Sequence, residues 1–270
     1  MKGNIKWAAM LTLILVFGLF YGCSNNPTAP ADQNGSLSIN LTDSPASFDA
    51  VYIVVTKVEV NESANASSSD SGWVTLNSTP QTYDLLTLKN GTEAVLGDTV
   101  LSPGQYNQIR LVIGSGSYVL MNGIRVDLTI PSGIQTGVKL IHQFNISANT
   151  RAKLTLDFDA SRSIVIEGNG NLKLKPTIRI VETSNSGTIS GKVFPQSANP
   201  IVWTTTASND TVTAYPDSSG YFMLNALPAG VSYNVVIHAD NTVYSDTTIS
   251  NISVNADKDT DIGAITLTKN

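Results

Sequence analysis

The sequence holds one cysteine, Cys23, and two histidines, His142 and His238. A single thiol excludes an intrachain disulfide and any multi-thiolate metal cluster. The histidines lie far apart in the chain, and neither has a partner at metal-ligand spacing. No Ser-His-Asp or Cys-His arrangement can be assembled from them. Basic residues are scarce: 16 Lys and Arg stand against 21 Asp and Glu, a formal charge of −5. The basic footprint of a nucleic-acid binder is missing, as is the polybasic stretch that would read anionic lipids. After Tyr21 there is no apolar run long enough to span a bilayer, which takes ~20 residues.

What is present begins with an export signal. Lys2 and Lys6 form a charged start, Trp7 to Tyr21 an uncharged apolar run, and Gly22-Cys23 a small-residue cleavage point. Leu19-Phe20-Tyr21-Gly22-Cys23 resembles a lipobox, with Phe20 and Tyr21 where Leu and a small residue usually stand. Lipidation explains both the position and the solitude of Cys23 better than a chance cysteine or a nucleophile with nothing to activate it. Residues 1–22 are therefore expected to be a cleaved signal peptide and residues 23–34 a lipid-tethered flexible linker, polar and proline-containing. Losing Lys2 and Lys6 and no acid moves the formal charge from −5 to −7. Two or three acyl chains, as a processed lipoprotein carries, anchor firmly where one does not.

From Gly35 onward the dominant period is two, the mark of half-buried strands. In 35–42, Leu37, Ile39 and Leu41 share one face. In 124–130, Ile124, Val126, Leu128 and Ile130 alternate with Arg125, Asp127 and Thr129, and in 152–158 Leu154, Leu156 and Phe158 alternate with Lys153, Thr155 and Asp157. Residues 172–181 read as one more strand, placed at an edge or bulged because Pro176 lacks a ladder donor. Asn122-Gly123 between two such runs predicts a two-residue hairpin. No amphipathic helix of normal length is found; the best fragment, Thr82 to Leu88, predicts one or two turns. The Ser- and Asn-rich segment Glu62 to Gly72 reads as a mobile loop.

Residues 183–187 form the best internal boundary. After them come shorter strands with frequent turns: 188–194, 210–215, 220–227, 232–239 and 261–267. The expected organisation is all-β, two β-sandwich domains at 35–182 and 188–270. The second resembles the carboxypeptidase regulatory-like family, through Gly187-Thr188-Ile189-Ser190-Gly191-Lys192-Val193, Asp217-Ser218-Ser219-Gly220-Tyr221-Phe222, Leu227-Pro228-Ala229-Gly230 and Ile262-Gly263-Ala264-Ile265-Thr266-Leu267. That resemblance implies a transthyretin-like seven-stranded sandwich, a non-catalytic accessory of a class grouped with carbohydrate-binding-like folds. The first resembles a bacterial family known as domain of unknown function 4382, common in lipoproteins. The residues that carry this likeness include Leu41-Thr42-Asp43-Ser44-Pro45-Ala46, Gly72-Trp73, Tyr83-Asp84-Leu85-Leu86, Pro103 to Leu111, Pro131 to Gly137, Asp157-Phe158-Asp159-Ala160 and Leu172 to Pro176. The likeness implies an all-β domain and no assigned chemistry.

Candidate ligand positions are few. Asp157 and Asp159 fall on the polar phase of their strand, and paired carboxylates can bind calcium or share acid–base work. One Asp-x-Asp supplies too few oxygens for calcium, and cross-strand pairing with the basic stripe Lys173, Lys175 and Arg179 is the preferred reading. That stripe could otherwise meet an anionic polysaccharide. Trp73 and Trp203 could stack on sugars, although core packing explains large aromatics as well. His142 falls on the apolar phase of its strand and reads as a satisfied core or core-edge residue; His238 reads as exposed. No cofactor, metal or catalytic group is expected. The sequence reads as a non-enzymatic, membrane-anchored lipoprotein of the cell envelope, at the outer membrane, serving as a binding or display module for a glycan or an envelope protein. The alternative is a carbohydrate-binding surface protein.

Overall fold

A computed structural model of the chain describes residues 34–44, 48–131, 136–168 and 170–270. The expected signal peptide, Cys23 and the tether up to residue 33 lie outside them. Among the described residues, strands dominate and form four sheets.

The first half carries β1 (Gly35–Ser44), β2 (Ala50–Asn61), β3 (Val74–Asn77), β4 (Gln81–Asp84), β5 (Ala94–Leu101), β6 (Gly104–Ile113), β7 (Tyr118–Met121), β8 (Ile124–Thr129), β9 (Val138–Ile146), β10 (Arg151–Asp159), β11 (Ile164–Ile166), β12 (Leu172–Leu174) and β13 (Ile178–Glu182). One sheet runs β13-β10-β1-β5; the other runs β11-β12-β8-β7-β2-β6-β9, with β3 and β4 also paired to β2. Strands β1 and β10 are parallel neighbours, Ile39 opposite Leu154 and Leu41 opposite Leu156. These side chains close over one core with Val58, Ile109, Leu111 and Phe158. Each buried Leu or Ile contributes about 1.5–3 kcal/mol. A one-residue slip of β1 would move three of them onto its opposite, polar face, so alternation fixes its register.

The second half carries β14 (Ser186–Phe194), β15 (Pro200–Thr205), β16 (Thr211–Ala214), β17 (Tyr221–Pro228), β18 (Ser232–Ala239), β19 (Thr247–Ser253) and β20 (Asp259–Thr266). These seven strands form sheets β17-β14-β20 and β16-β15-β18-β19, enclosing a separate core that includes Val202, Phe222, Val235 and Ile237. Both halves are all-β, as their period-two patterning requires.

Local structure departs from the expectation at one point and fills in detail at others. Residues 172–181 do not make one strand: β12 pairs with β8 and β11 in the larger sheet, while β13 pairs with β10 in the smaller. Pro176 is the physical break. Around it Lys175 N–H donates to Ser163 O (2.7 Å) and Thr177 N–H to Ser163 Oγ (2.8 Å), and these bonds carry the chain from one sheet to the other. Within the fragment at Thr82 to Leu88, Leu85–Thr87 forms a single 3-10 turn capped by Asp84, preceded by strand. The expected linker at 183–187 is a 3-10 turn, Thr183–Asn185, that runs straight into β14. The segment Glu62 to Gly72 lies outside the strands and carries its own hydrogen bonds. Trp73 Nε1–H donates to Ser67 O (2.9 Å), Asn61 Nδ2–H to Ser71 O (3.2 Å) and Ser67 N–H to Asp70 Oδ2 (2.8 Å). Asn122 and Gly123 take φ of 53° and 74° in the β7–β8 turn, the left-handed pair that a two-residue hairpin needs.

Candidate functional site: the junction of the two halves and its cleft

Alternation in β1 and β10 gives each strand a polar face opposite its core face. Ser38, Asn40 and Thr42 on β1 and Thr155 and Asp157 on β10 occupy it, and every one of them is buried. The cover is the loop that follows Leu88 together with β16 and β17 of the second half. Thr42 Oγ1–H donates to Leu88 O (2.9 Å), and Glu93 accepts from Asn40 Nδ2 (2.6 Å), Lys153 Nζ (2.7 Å) and Thr155 Oγ1 (3.1 Å). Burial alone would raise the Glu93 carboxyl, yet these donors hold it below its ordinary value.

Arg179, on β13, joins the halves. One guanidinium nitrogen donates to Asp157 Oδ2 (2.7 Å) and the other to Ala226 O (2.7 Å) on β17. The fork of donors suits this double task, which a single ammonium could not perform. Ala226 sits at φ 53°, a left-handed conformation that costs a non-glycine residue about 1–2 kcal/mol. From the other side Met223 N–H donates to Asn90 Oδ1 (3.1 Å). Side chains of the first half thus satisfy backbone groups along β17, which among the described residues has β14 as its ladder partner and stands at the edge of its sheet. An edge strand covered in this way is shielded from pairing with other chains.

Beside this junction lies a cleft of about 590 Å³. Its walls come from the 90–93 loop and β10 on one side, and from β17 and the 257–259 turn on the other. Asp259 in that turn accepts from Thr188 Oγ1 and Ser190 Oγ, both at 2.6 Å.

The residues singled out in the sequence do not converge. Asp157 pairs with Arg179 across the β10–β13 ladder, and the pair is buried rather than on an open face. The physical reason is the second half, which packs over that face. Asp159 caps the one-turn helix Ala160–Ser163, accepting from Arg162 N–H (2.9 Å) and Ser161 Oγ–H (2.7 Å). Lys173 lies in the other sheet, 3.6 Å from Glu167, and Lys175 is exposed at the crossover. Of the basic stripe, Arg179 meets Asp157, while Pro176 sets the two lysines apart from it in the chain.

Trp73 is half-buried with its ring 4.0 Å from the Arg110 guanidinium, so one face is occupied by a cation. That arginine is itself buried against Glu59, donating from Nε to Oε2 (2.7 Å). Burial raises the Glu59 carboxyl, but hydrogen bonds from Lys57 and Arg110 pull it below its ordinary value. Trp203 stands half-buried on the outer face of β15, between Thr213 and Val236. His142 is a core-edge residue, its Nε2 3.6 Å from Glu182 Oε1. His238 is exposed beside Asp246, 2.9 Å away.

Sequence reasoning missed Asp43. It takes the core phase of β1 after Leu37, Ile39 and Leu41, and is 5% exposed. Oδ1 accepts from Ala160 N–H (3.0 Å), while Oδ2 has no hydrogen-bond partner among the described residues. Burial raises its carboxyl well above the ordinary range, and Asp157, Asp159 and Asp84 push the same way, opposed by the Ala160 hydrogen bond. The signal was an acid on the apolar phase of a strand.

A family model described as "Domain of unknown function (DUF4382)" matches residues 34–176, more than half of the chain. The chain belongs to the DUF4382 family. The DUF4382 region takes in β1 to β12 and ends at Pro176, so Arg179 and the second half lie beyond it. No curated protein matches the chain. Among solved structures it is similar to the shaft pilin SpaA from Lactobacillus rhamnosus GG at 8% identity, covering 88% of this chain and 98% of that one, with a TM-score of 0.25. It is also similar to the fimbrial anchor protein Mfa2 from Porphyromonas gingivalis at 12% identity, covering 84% and 90%, with a TM-score of 0.21. The Bacillus anthracis TIE protein aligns at 13% identity and a TM-score of 0.23 over 88% of this chain, which spans about a third (34%) of that protein. Superpositions this loose carry no argument about function.

Proposed function

We propose that this DUF4382 chain is a non-catalytic lipoprotein of the cell envelope, tethered through Cys23 at the outer membrane. It holds two β-sandwiches, 35–182 and 188–270, in one fixed arrangement for binding or display. The observation that carries this reading is the junction: buried polar faces and the Arg179 fork give the two halves specific, directional contacts. A junction of this kind presents one composite surface, and the cleft of about 590 Å³ beside it is part of that surface. The seven strands of the second half, split three and four, support a carboxypeptidase regulatory-like accessory. The export pattern ending at Gly22-Cys23 supports the tether.

Mass spectrometry of the mature N-terminus tests the anchor. The expected result is an acylated Cys23 as first residue, with Cys23→Ser shifting the protein from the membrane fraction to the soluble one. An unmodified Cys23, or cleavage elsewhere, would refute it.

A further inference from the structure

The cleft contains two kinds of polar group. Glu93 and Asp259 accept hydrogen bonds from donors of their own chain, as described above. Lys153 and Thr188 are spent on those carboxylates. Asp257, Lys258, Asn225 and Thr92 also line it, and among the described residues their side chains make no hydrogen bond or ion pair. Together they offer an anionic acceptor, a cationic donor, an amide that does both, and a hydroxyl. The free cation and free anion are adjacent in the chain, so these unused groups carry no net charge that would select an ion. Met223 supplies apolar surface, and its Sδ lies so close to Gly91 that a Cβ there would meet it at 2.9 Å. Small-ligand sites typically enclose ~300–1,000 Å³, with a few convergent polar groups and some apolar wall; the cleft falls within that range.

We propose that this cleft, and neither tryptophan, is the ligand site, and that it takes a neutral oligosaccharide. Vicinal hydroxyls would donate to Asp257 and accept from Lys258 and Asn225, while a C–H-rich sugar face would lie against Met223. This rests on the reading of the chain as an envelope binding module. Without an aromatic platform the affinity is set by hydrogen bonds that replace water, so binding is weak and specific rather than tight.

The test is isothermal titration of the detergent-solubilised mature protein with cellotriose, maltotriose and chitotriose at millimolar concentration. At least one should bind saturably. Asp257→Ala, Lys258→Ala and Asn225→Ala should each weaken it about tenfold, the effect of one or two lost hydrogen bonds. Trp203→Ala and Trp73→Phe should leave it unchanged. Circular dichroism of each variant confirms that folding is retained. The proposal is overturned if none of the trisaccharides binds, if binding survives the cleft substitutions, or if an anionic trisaccharide binds more tightly than the neutral ones. Acylation of Cys23, measured on the same preparation, reports separately: an anchored protein without sugar binding sinks the ligand assignment alone, whereas loss of the anchor sinks the lipoprotein reading.

Discussion

Replacing Arg179 by alanine should do more damage than any other single change at the junction. Its side chain is 15% exposed and that of its partner Asp157 8%, so the pair is nearly desolvated. Removing one member of a buried pair typically costs ~3–5 kcal/mol, because the remaining charge keeps its desolvation penalty without the matching attraction. The Ala226 carbonyl also loses its 2.7 Å donor, at a residue already held in a left-handed conformation. We expect about 3–5 kcal/mol from Arg179→Ala, and roughly half of that from Arg179→Lys, whose ammonium keeps the charge but cannot serve both acceptors. Urea unfolding of the full chain carrying Cys23→Ser provides the measurement, with intrinsic fluorescence following both halves. The wild type should unfold in one transition, since the junction couples the two cores, and Arg179→Ala should separate them into two. A loss below about 1 kcal/mol, as surface pairs give, would show that the fork contributes no more than an exposed ion pair and would refute the reasoning.

Asp43 gives a pH prediction of unusual sign. Its folded-state value lies above the unfolded 3.8, so between the two the native state binds more protons than the unfolded chain. Stability therefore falls as pH rises from the unfolded value through the raised folded one, and is not regained above it. Asp43→Asn should remove that component, so its stability relative to wild type improves steadily from acid to neutral pH. Denaturation midpoints showing the same pH slope in both proteins would rule this out. Gly91 has φ +89°, and a Cβ there would meet Met223 Sδ at 2.9 Å. Gly91→Ala should cost about 1–2 kcal/mol from backbone strain alone, read by the same denaturation assay. It should also weaken the Asn90–Met223 contact, visible as faster hydrogen exchange at the Met223 amide.

Much of the architecture was legible because it follows from local periodicity. The alternation of Leu37, Ile39 and Leu41, or of Leu154, Leu156 and Phe158, has a strand as its simplest solution, and Asn122-Gly123 accepts the positive φ angles of its turn. These are properties of neighbours in the chain. The candidate site was far less legible. Asp157 has the same residue type and phase as a solvated strand acid, and nothing within a few positions reveals that the second half will cover it. The stripe of Lys173, Lys175 and Arg179 looked continuous because the pattern on both sides of Pro176 is in phase, yet sheet membership is decided by partners far away. The cleft is assembled from five segments spread between residues 90 and 259, and no spacing rule joins them.

By itself, then, the sequence determined the all-β class, the strands with strong alternation and the restart of the pattern near residue 183. Only the tertiary structure decided which polar faces are buried, that Arg179 binds both halves, and that Asp43 is buried beside the Ala160 amide. The division has a physical cause. Burial of an apolar stripe is favourable against almost any neighbour and so is written locally, whereas burial of a polar face is favourable only when particular donors and acceptors arrive from elsewhere in the chain.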